Sequence, residues 1–385
     1  MNNAIRKRLG DIVNFKRGYD LPSYNRMEGN YPIISSGGIS GYHSEYKKDG
    51  EGLITGRYGT LGEMYYINGK YWPHNTALYV TDFKGNYPKY VYYLMKCLGN
   101  LKTSDKSTVP GVNRNDLHEI VIPYIKPEFQ KEIADLLFMI DDKIKLNNRI
   151  NLELEAMAKT LYDYWFVQFD FPDKNGKPYK TSGGKMVWND KIKRMLPENW
   201  SVSRLSENVT WISGAQPSKS TFIYQEKIGY VRFIQNRDYA SDSHKTYIKE
   251  SKNNKLCDTY DIMIDKYGDA GAVRYGLSGA YNVALSKIEV NIKNGQEYIR
   301  NYLKSDSVYM YLKNACIAST RASLNSENLD SLNIILPECN ILEKFEVTNK
   351  EFIKMTLQTY NQNQKLTELR DWLLPMLMNG QVKVN

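Results

Sequence analysis

Two stretches of the chain carry apolar residues at intervals of three and four with no glycine or proline to interrupt them. The first follows Pro127 and is unbroken until Pro172. Within it Ile133, Leu137, Ile140 and Ile144, then Leu154, Met157 and Leu161, recur at the period of an α-helix. The second covers about 341–374, just short of Pro375. Phe345, Phe352, Leu366 and Leu373 lie seven or fourteen apart there, and Met355, Leu369 and Met376 complete a seam. At about 1.5 Å per residue the first helix spans roughly 55 Å. A helix so long needs a partner for its apolar stripe. Polar residues interrupt both seams, Asn147 and Asn151 in the first, Thr359 and Gln362 in the second, and such positions can fix register and partner. The seam can join the two helices of one chain or make a homodimer. Antiparallel pairing within the chain is the expected arrangement, because both helices belong to one duplicated chain. The pair is then a ruler of roughly one and a half turns of B-DNA.

Around the helices the texture changes. Residues 8–123 alternate short apolar runs with Gly, Asn and Asp turns. "GLITGRYG" (52–59), "GEMYYING" (62–69), "TALYVTD" (76–82) and "LHEIVIP" (117–123) predict strands. "PKYVYYLMKCL" (88–98) predicts a short helix with Pro88 near its start. The pattern then repeats. "RKRLGDIVNFKRGYDLPS" (6–23) compares with "LPENWSVSRLSENVTWISGAQPS" (196–218), Leu9 matching Leu205. "LITGRYGTLG" (53–62) compares with "IMIDKYGDAG" (262–271), "NTALYV" (75–80) with "NVALSK" (282–287), and "STVPGVNRNDLHEIVIP" (107–123) with "STRASLNSENLDSLNIILP" (319–337). The helical parts keep one offset, Pro123 matching Pro337 and Leu152 matching Leu366, while the β parts drift. Helices that must fit one another tolerate few insertions, whereas loop-bearing domains absorb them. Residues 167–195, rich in Gly, Pro and Lys, read as a connector without a packed core. The predicted fold class is α+β: a tandem duplication of a mostly β domain with a small helical part, each copy followed by a long α-helix, the two helices packed antiparallel as a coiled-coil-like spacer.

Composition narrows the class. Apolar residues at 42% suffice for real cores and charged residues at 25% are ordinary, so the chain is folded rather than disordered. A net charge of +9 and 31 tyrosines suit an extended surface facing a polyanion, although a low-GC genome raises Tyr and Lys together. Cys97, Cys257, Cys316 and Cys339 lie far apart in sequence, so neither a metal cluster nor a disulfide framework is implied, and a reducing, cytoplasmic setting is expected. No signal-peptide pattern opens the chain, and no apolar run of about 18 residues predicts a membrane span.

Catalytic signatures are missing. His43, His74, His118 and His244 lie outside metal-ligand spacing of one another, and HExxH, P-loop, GxSxG and dinucleotide-type turns are absent, as is the Pro-Pro-aromatic signature of an amino methyltransferase. No catalytic or metal residue is therefore assigned. Asp258, Asp261 and Asp265 with Lys266 can be set in nuclease order, but the first copy holds Gly52, Thr55, Gly56 and Arg57 there. A stand-alone Mg-dependent endonuclease is thus an alternative reading, and a duplicated protein-binding scaffold is a third. The best local motif is a repeated basic-Tyr-Gly-x-x-Gly: Arg57, Tyr58, Gly59 and Gly62 in one copy, Lys266, Tyr267, Gly268 and Gly271 in the other. Its glycines suit structural turns, and its basic and aromatic residues suit either phosphate and base-edge contact or a plain hairpin. Lys16, Arg17 and Tyr19, then Arg232, Asn236, Arg237 and Tyr239, cluster in expected loops, and Arg114 and Arg321 precede the closing strands. Each alone reads as readily as a solvated surface residue. As a set inside a duplicated basic chain they are candidate DNA contacts.

These segments resemble the specificity (S, or HsdS) subunits of Type I restriction-modification enzymes over nearly the whole length. The resemblance rests on "RLGDIVNFKRG" (8–18), "YPIISSGGISGYH" (31–43), "GLITGRYGTLG" (52–62), "NTALYV" (75–80), "IVIPYIKPEFQKEIADLL" (120–137), "LYDYWFVQFDF" (161–171) and "LPENWSVSRL" (196–205), in that order. It implies target-recognition domains at residues 1–126 and 196–337, each reading half of a split DNA sequence. It also implies a central conserved long helix at 127–166 and a C-terminal conserved helix and tail at 338–385. Residues 167–195 remain the connector. The expected partners are double-stranded DNA, two modification subunits that bind S-adenosylmethionine and methylate adenine, and motor-nuclease subunits that use ATP and Mg. No cofactor is expected in this chain. The second copy departs from the first at "VRFIQNRDY" (231–239), which lacks the first copy's glycine run, so an asymmetric target is expected.

Overall fold

The structure, a computed structural model, describes residues 5–56, 63–98, 114–241, 244–318 and 322–382. It divides into two compact units: unit 1 is Met1–Asn147 with Asn361–Asn385, and unit 2 is Asn148–Tyr360.

In unit 1 the strand Arg6–Arg8 pairs antiparallel with Val121–Pro123 and leads into the short helix Leu9–Ile12. A four-stranded antiparallel sheet follows in the order Asn14–Arg17, Ala77–Asp82, Glu51–Gly56, Met64–Asn68. A smaller sheet holds Gly38–His43, Tyr31–Ser35 and Trp72–Pro73, the last two parallel through Ile33–Trp72 and Ile34–Pro73. Alternation along the strands sends their side chains to two cores. Phe15, Leu53, Leu78 and Val80 pack on Tyr90, Leu94, Leu137 and Leu377 of the helices. Ile54, Ala77 and Tyr79 face the other way, onto Ile34 of the smaller sheet and Tyr71 just before its last strand. The helix Pro88–Cys97 has its proline in the first turn, where a missing N–H costs nothing.

Unit 2 repeats this plan, with a fourth strand added to the smaller sheet. Ser201–Arg204 pairs with Asn333–Leu336, and the larger sheet runs Val209–Ser213, Leu285–Val290, Ile262–Asp265, Val273–Arg274. The smaller sheet again contains one parallel pair, Phe233–Ala280 and Ile234–Tyr281. Ile262, Ile264 and Ile288 pack on Tyr298, Leu303 and Phe345, while Met263 and Leu285 face Ile234 and Tyr281. Leu9 and Leu205 are both fully buried, and their N–H groups donate to Ile120 O and Leu332 O, each at 2.8 Å. Hydrogen bonding also corrects one sequence match. Gly18 N–H donates to Ala77 O, and Gly214 N–H to Leu285 O, so Ala77 corresponds to Leu285 and not to Ala284. The "NTALYV"/"NVALSK" comparison slips by one residue, because Asn282 stands where the first copy has His74: Ala77 N–H donates to His74 O and Leu285 N–H to Asn282 O, so the turns are equally long and only the asparagine has moved.

Two further expectations change. "LHEIVIP" is not one strand: Arg114–His118 is helical and only Val121–Pro123 is extended. The helical turn buries Leu117 and brings His118 Nε2 to accept the Phe15 N–H at 3.0 Å. Nor is 167–195 coreless. Phe169 and Phe171 are buried against Trp200, and Met186–Asn189 pairs with Arg194–Pro197 as a hairpin. Phe169 adopts φ 67°. That left-handed backbone costs roughly 1–2 kcal/mol, less than the ~1.5–3 kcal/mol gained by burying its ring. The Gly, Pro and Lys content concealed these aromatic anchors.

The long helices are Pro127–Tyr162, closed by a π-turn at Asp163–Val167, and Cys339–Met378, which continues through Pro375. Within each unit a length of one packs antiparallel on a length of the other. In unit 1 Asn147 Nδ2 donates to Gln362 Oε1 and Asn363 Oδ1, both at 2.8 Å, and Asp141 pairs with Arg370 at 2.7 Å. In unit 2 Thr359 bonds Asn151, and Tyr162 and Trp165 meet Phe345. The pairing is therefore intramolecular. Among the expected seam residues Ile133, Leu137, Ile140, Leu154 and Phe345 are buried. Ile144, Leu161, Phe352, Leu366 and Leu373 are half-buried. Met157, Met355 and Leu369 face outward. The second helix instead buries Asn349, Ile353, Thr356 and Asn363. Three of those four are polar, so apolar periodicity alone misplaces the seam by about one residue.

Candidate nucleic-acid interface

In each unit the two sheets bring a set of turns to one strand end. In unit 2 Gly214 N–H reaches Leu285 O, Asn282 N–H reaches Ile234 O at 3.0 Å, Lys266 N–H reaches Ala284 O at 2.8 Å, and Leu324 N–H reaches Lys266 O at 2.9 Å. Segments 213–216, 235–239, 265–272, 282–284 and 322–324 thus converge. In unit 1 the same bonds place 17–20, 34–36 and 73–77 together: His74 N–H to Ile34 O, Tyr19 N–H to Pro73 O, and Gly18 N–H to Ala77 O. Gly18 and Gly214 are needed at this convergence. A Cβ on either would lie 2.1 Å from His74 O or 2.0 Å from Asn282 O. Both follow a strand at matched places in the sequence repeat, and that recurrence is the signal that marks them.

The candidate contacts occupy these turns unevenly. Lys16 and Arg17 are exposed on the last residues of their strand, Arg17 Nε donating to Asn75 O at 3.2 Å. Tyr19 is half-buried, its hydroxyl 3.0 Å from that of Tyr79 and its ring edge-on to Trp72, which makes it a packing residue of the turn. Arg114 is exposed at the start of its short helix. Arg232 is half-buried within its strand, Arg237 is exposed beside Asp238, and Asn236 and Tyr239 are half-buried in the turn that follows. Burial pushes the Tyr239 phenol well up, and it will not ionise near neutral pH. Lys266 is half-buried and Tyr267 is 41% exposed at the tip of its loop. Gly268 and Gly271 hold φ of 81° and 90° there, the region that favours glycine. Arg57, Tyr58, Gly59, Gly62 and Arg321 lie outside the described residues.

Nuclease chemistry gains no support from the geometry. Asp265 is buried, and its Oδ2 accepts from Arg274 Nε at 3.2 Å and Nη2 at 3.0 Å. Asp261 accepts the Asp258 N–H and pairs with Lys287 at 3.4 Å. Among the described residues no three His, Cys, Asp or Glu side chains are grouped to hold a metal. No helix among them is long and apolar enough to cross a membrane.

His118 and His74 in unit 1 and Asp265 in unit 2 respond to pH in opposite directions. Burial, then Arg114 and Lys84, lowers the His118 imidazole below its usual 6.5, with Glu119 opposing. Burial, then Arg26, lowers His74, with Asp20 and a backbone bond opposing. Burial pushes Asp265 up to about 6 against the pull of Arg274. A lowered imidazole contributes stability above its unfolded pKa and loses it as pH falls through the folded one. A raised carboxyl does the reverse, gaining as pH falls below about 6. From pH 7 to 5, hydrogen exchange corrected for intrinsic rates is expected to show falling protection around Phe15 in unit 1 and rising protection around Asp265 in unit 2. Parallel loss in both would contradict these assignments.

Duplicated sheets that gather basic and aromatic turns at one strand end, each backed by paired lengths of long helix, define a tandem recognition protein. The chain belongs to the Type I restriction modification DNA specificity domain family, whose model matches it twice, over residues 4–156 and 197–369. It is 26% identical over 319 residues to the Type I restriction enzyme MjaIX specificity subunit of Methanocaldococcus jannaschii, covering 77% of this chain and 69% of that protein. It is 23% identical over 333 residues to the HindI specificity subunit of Haemophilus influenzae, covering 72% of each. The crystal structure of a Type-I restriction-modification system S subunit from M. genitalium superposes with a TM-score of 0.66 at 16% identity, covering 98% of this chain and 97% of that one, which establishes the shared fold.

Proposed function

We propose that this chain is the non-catalytic, sequence-reading subunit of a Type I restriction-modification complex, and that each unit contacts one half of a split, asymmetric DNA target. Two modification subunits carrying S-adenosylmethionine would methylate adenine, and motor-nuclease subunits would supply ATP- and Mg-dependent cleavage. Methylation needs the base taken out of the stack, a task for those partners. The observation that carries the reading is matched strand-end backbone bearing unlike side chains. By register, Gly56 corresponds to Asp265 and Tyr65 to Arg274. Two readers of one build but different chemistry suit two different half-sites. The net charge of +9 suits a phosphate backbone.

Modified-base sequencing of DNA exposed to the assembled complex tests this. The expected result is one asymmetric motif of two short blocks separated by an unread spacer of fixed length. A contiguous or palindromic motif would contradict it. Cleavage of plasmid by the purified chain with Mg²⁺ alone, lost in Asp265→Asn, would favour the endonuclease instead.

A further inference from the structure

The loop 265–272 of unit 2 is tied more tightly than a surface hairpin requires. Its backbone closes through Asp265 N–H to Ala272 O at 3.0 Å and Gly271 N–H to Asp265 O at 2.9 Å. Lys266 is held through both its N–H and its carbonyl. The loop lies against the helix Asp306–Ala318, so closely that a Cβ on Gly271 would stand 2.9 Å from Leu312 Cβ. One side chain joins these supports. Asp269 Oδ2 accepts from Arg274 Nη2 at 3.0 Å, and its Oδ1 accepts from the Tyr309 hydroxyl at 2.6 Å. Arg274 stands on the strand beside the loop and Tyr309 on the helix beneath it. The Arg274 guanidinium is already oriented by buried Asp265, so Asp269 meets a preplaced donor. A half-exposed ion pair contributes little stability by itself. Its consequence here is geometric, because it fixes the backbone on either side of Tyr267.

We infer that Asp269 is a positioning residue for sequence reading by unit 2: clamped between Arg274 and Tyr309, it sets the turn that presents Lys266 and Tyr267 to DNA. The inference rests on the reading above that this loop contacts the target. Unit 1 has Gly56 and Tyr65 at the register positions of Asp265 and Arg274, so it lacks the charged half of the clamp. The effect belongs to one half-site only.

The test uses the full chain assembled with its modification subunits and measures methylation of duplexes carrying single base changes in either half-site. Lys266→Ala and Tyr267→Ala first establish whether the loop reads DNA. Asp269→Asn is expected to lower discrimination on the order of tenfold at the unit 2 half-site, the weight of roughly one base contact. Discrimination at the unit 1 half-site and the melting temperature should stay unchanged. Tyr309→Phe, which removes one bond and no charge, should relax the same half-site to a smaller extent. A purely structural role would lower the melting temperature or affect both half-sites alike, and either result overturns the inference. If Lys266→Ala or Tyr267→Ala relaxes the half-site while Asp269→Asn and Tyr309→Phe do not, the positioning role fails and the loop reading stands. If neither alanine variant changes discrimination, the loop reading fails and takes the inference with it.

Discussion

Arg300→Met is expected to destabilise unit 2 by about 3–5 kcal/mol, the cost of leaving a buried charge without its partner. Arg300 and Glu297 are both almost fully buried and one helical turn apart. Arg300 Nε and Nη2 donate to the two Glu297 oxygens at 2.8 and 3.2 Å, and Nη2 also donates to Tyr260 O at 2.5 Å. The guanidinium lies 5.0 Å from the centre of the Tyr275 ring, and its Nη1 lacks a protein partner beside a cavity of about 20 Å³. Glu346 accepts the Glu297 N–H at 2.8 Å, so removing Arg300 also leaves two neighbouring carboxylates with only Lys350, 3.1 Å from Glu346, to offset them. Burial already raises Glu297, with Arg300 opposing, and without that arginine the proton is held more firmly still. The deficit of the variant should therefore shrink as pH falls. Thermal unfolding at pH 7 should show a fall of roughly 6–20 °C for a unit of this size. The double variant Glu297→Gln/Arg300→Met should recover most of it, because a neutral pair of similar volume costs no charge burial. Equal losses in the single and double variants would assign the effect to packing instead.

Altering one DNA half-site is expected to have the larger functional effect. A mismatched base pair costs about 1–3 kcal/mol and separated positions add, so changing three pairs in one block removes roughly 3–9 kcal/mol of discrimination. Two linked readers gain from effective concentration. Losing one therefore forfeits the coupling as well as the contacts. Neither unit should compensate for the other, because matched positions beside the turns carry different residues, such as Tyr65 and Arg274.

The duplication and the long helices were legible because their signals are periodic. Ile133, Leu137 and Ile140 repeat often enough to mark a buried stripe, and the closing strands recur with Leu9 and Leu205. What escaped depends on contacts distant in sequence. Asn349, Thr356 and Asn363 look like interruptions until the partner helix satisfies or covers them. The helical turn Arg114–His118 is anchored by an N–H that a strand about a hundred residues earlier donates to His118. The connector's core needed Trp200 to be placed before Phe169 and Phe171 became more than aromatic residues in a Gly-rich stretch. In the candidate interface the Lys266–Tyr267 motif was readable from its repeat. The Asp269 clamp was not, since Arg274 and Tyr309 reach it from separate elements.

The most direct test of two unlike readers on one chain is methylation by the assembled complex on four duplexes: the native target, the target altered in the first block, the target altered in the second, and the target altered in both. The account predicts efficient methylation of the native duplex alone, with each single alteration lowering the rate by at least about a hundredfold. Normal methylation of both singly altered duplexes would contradict it.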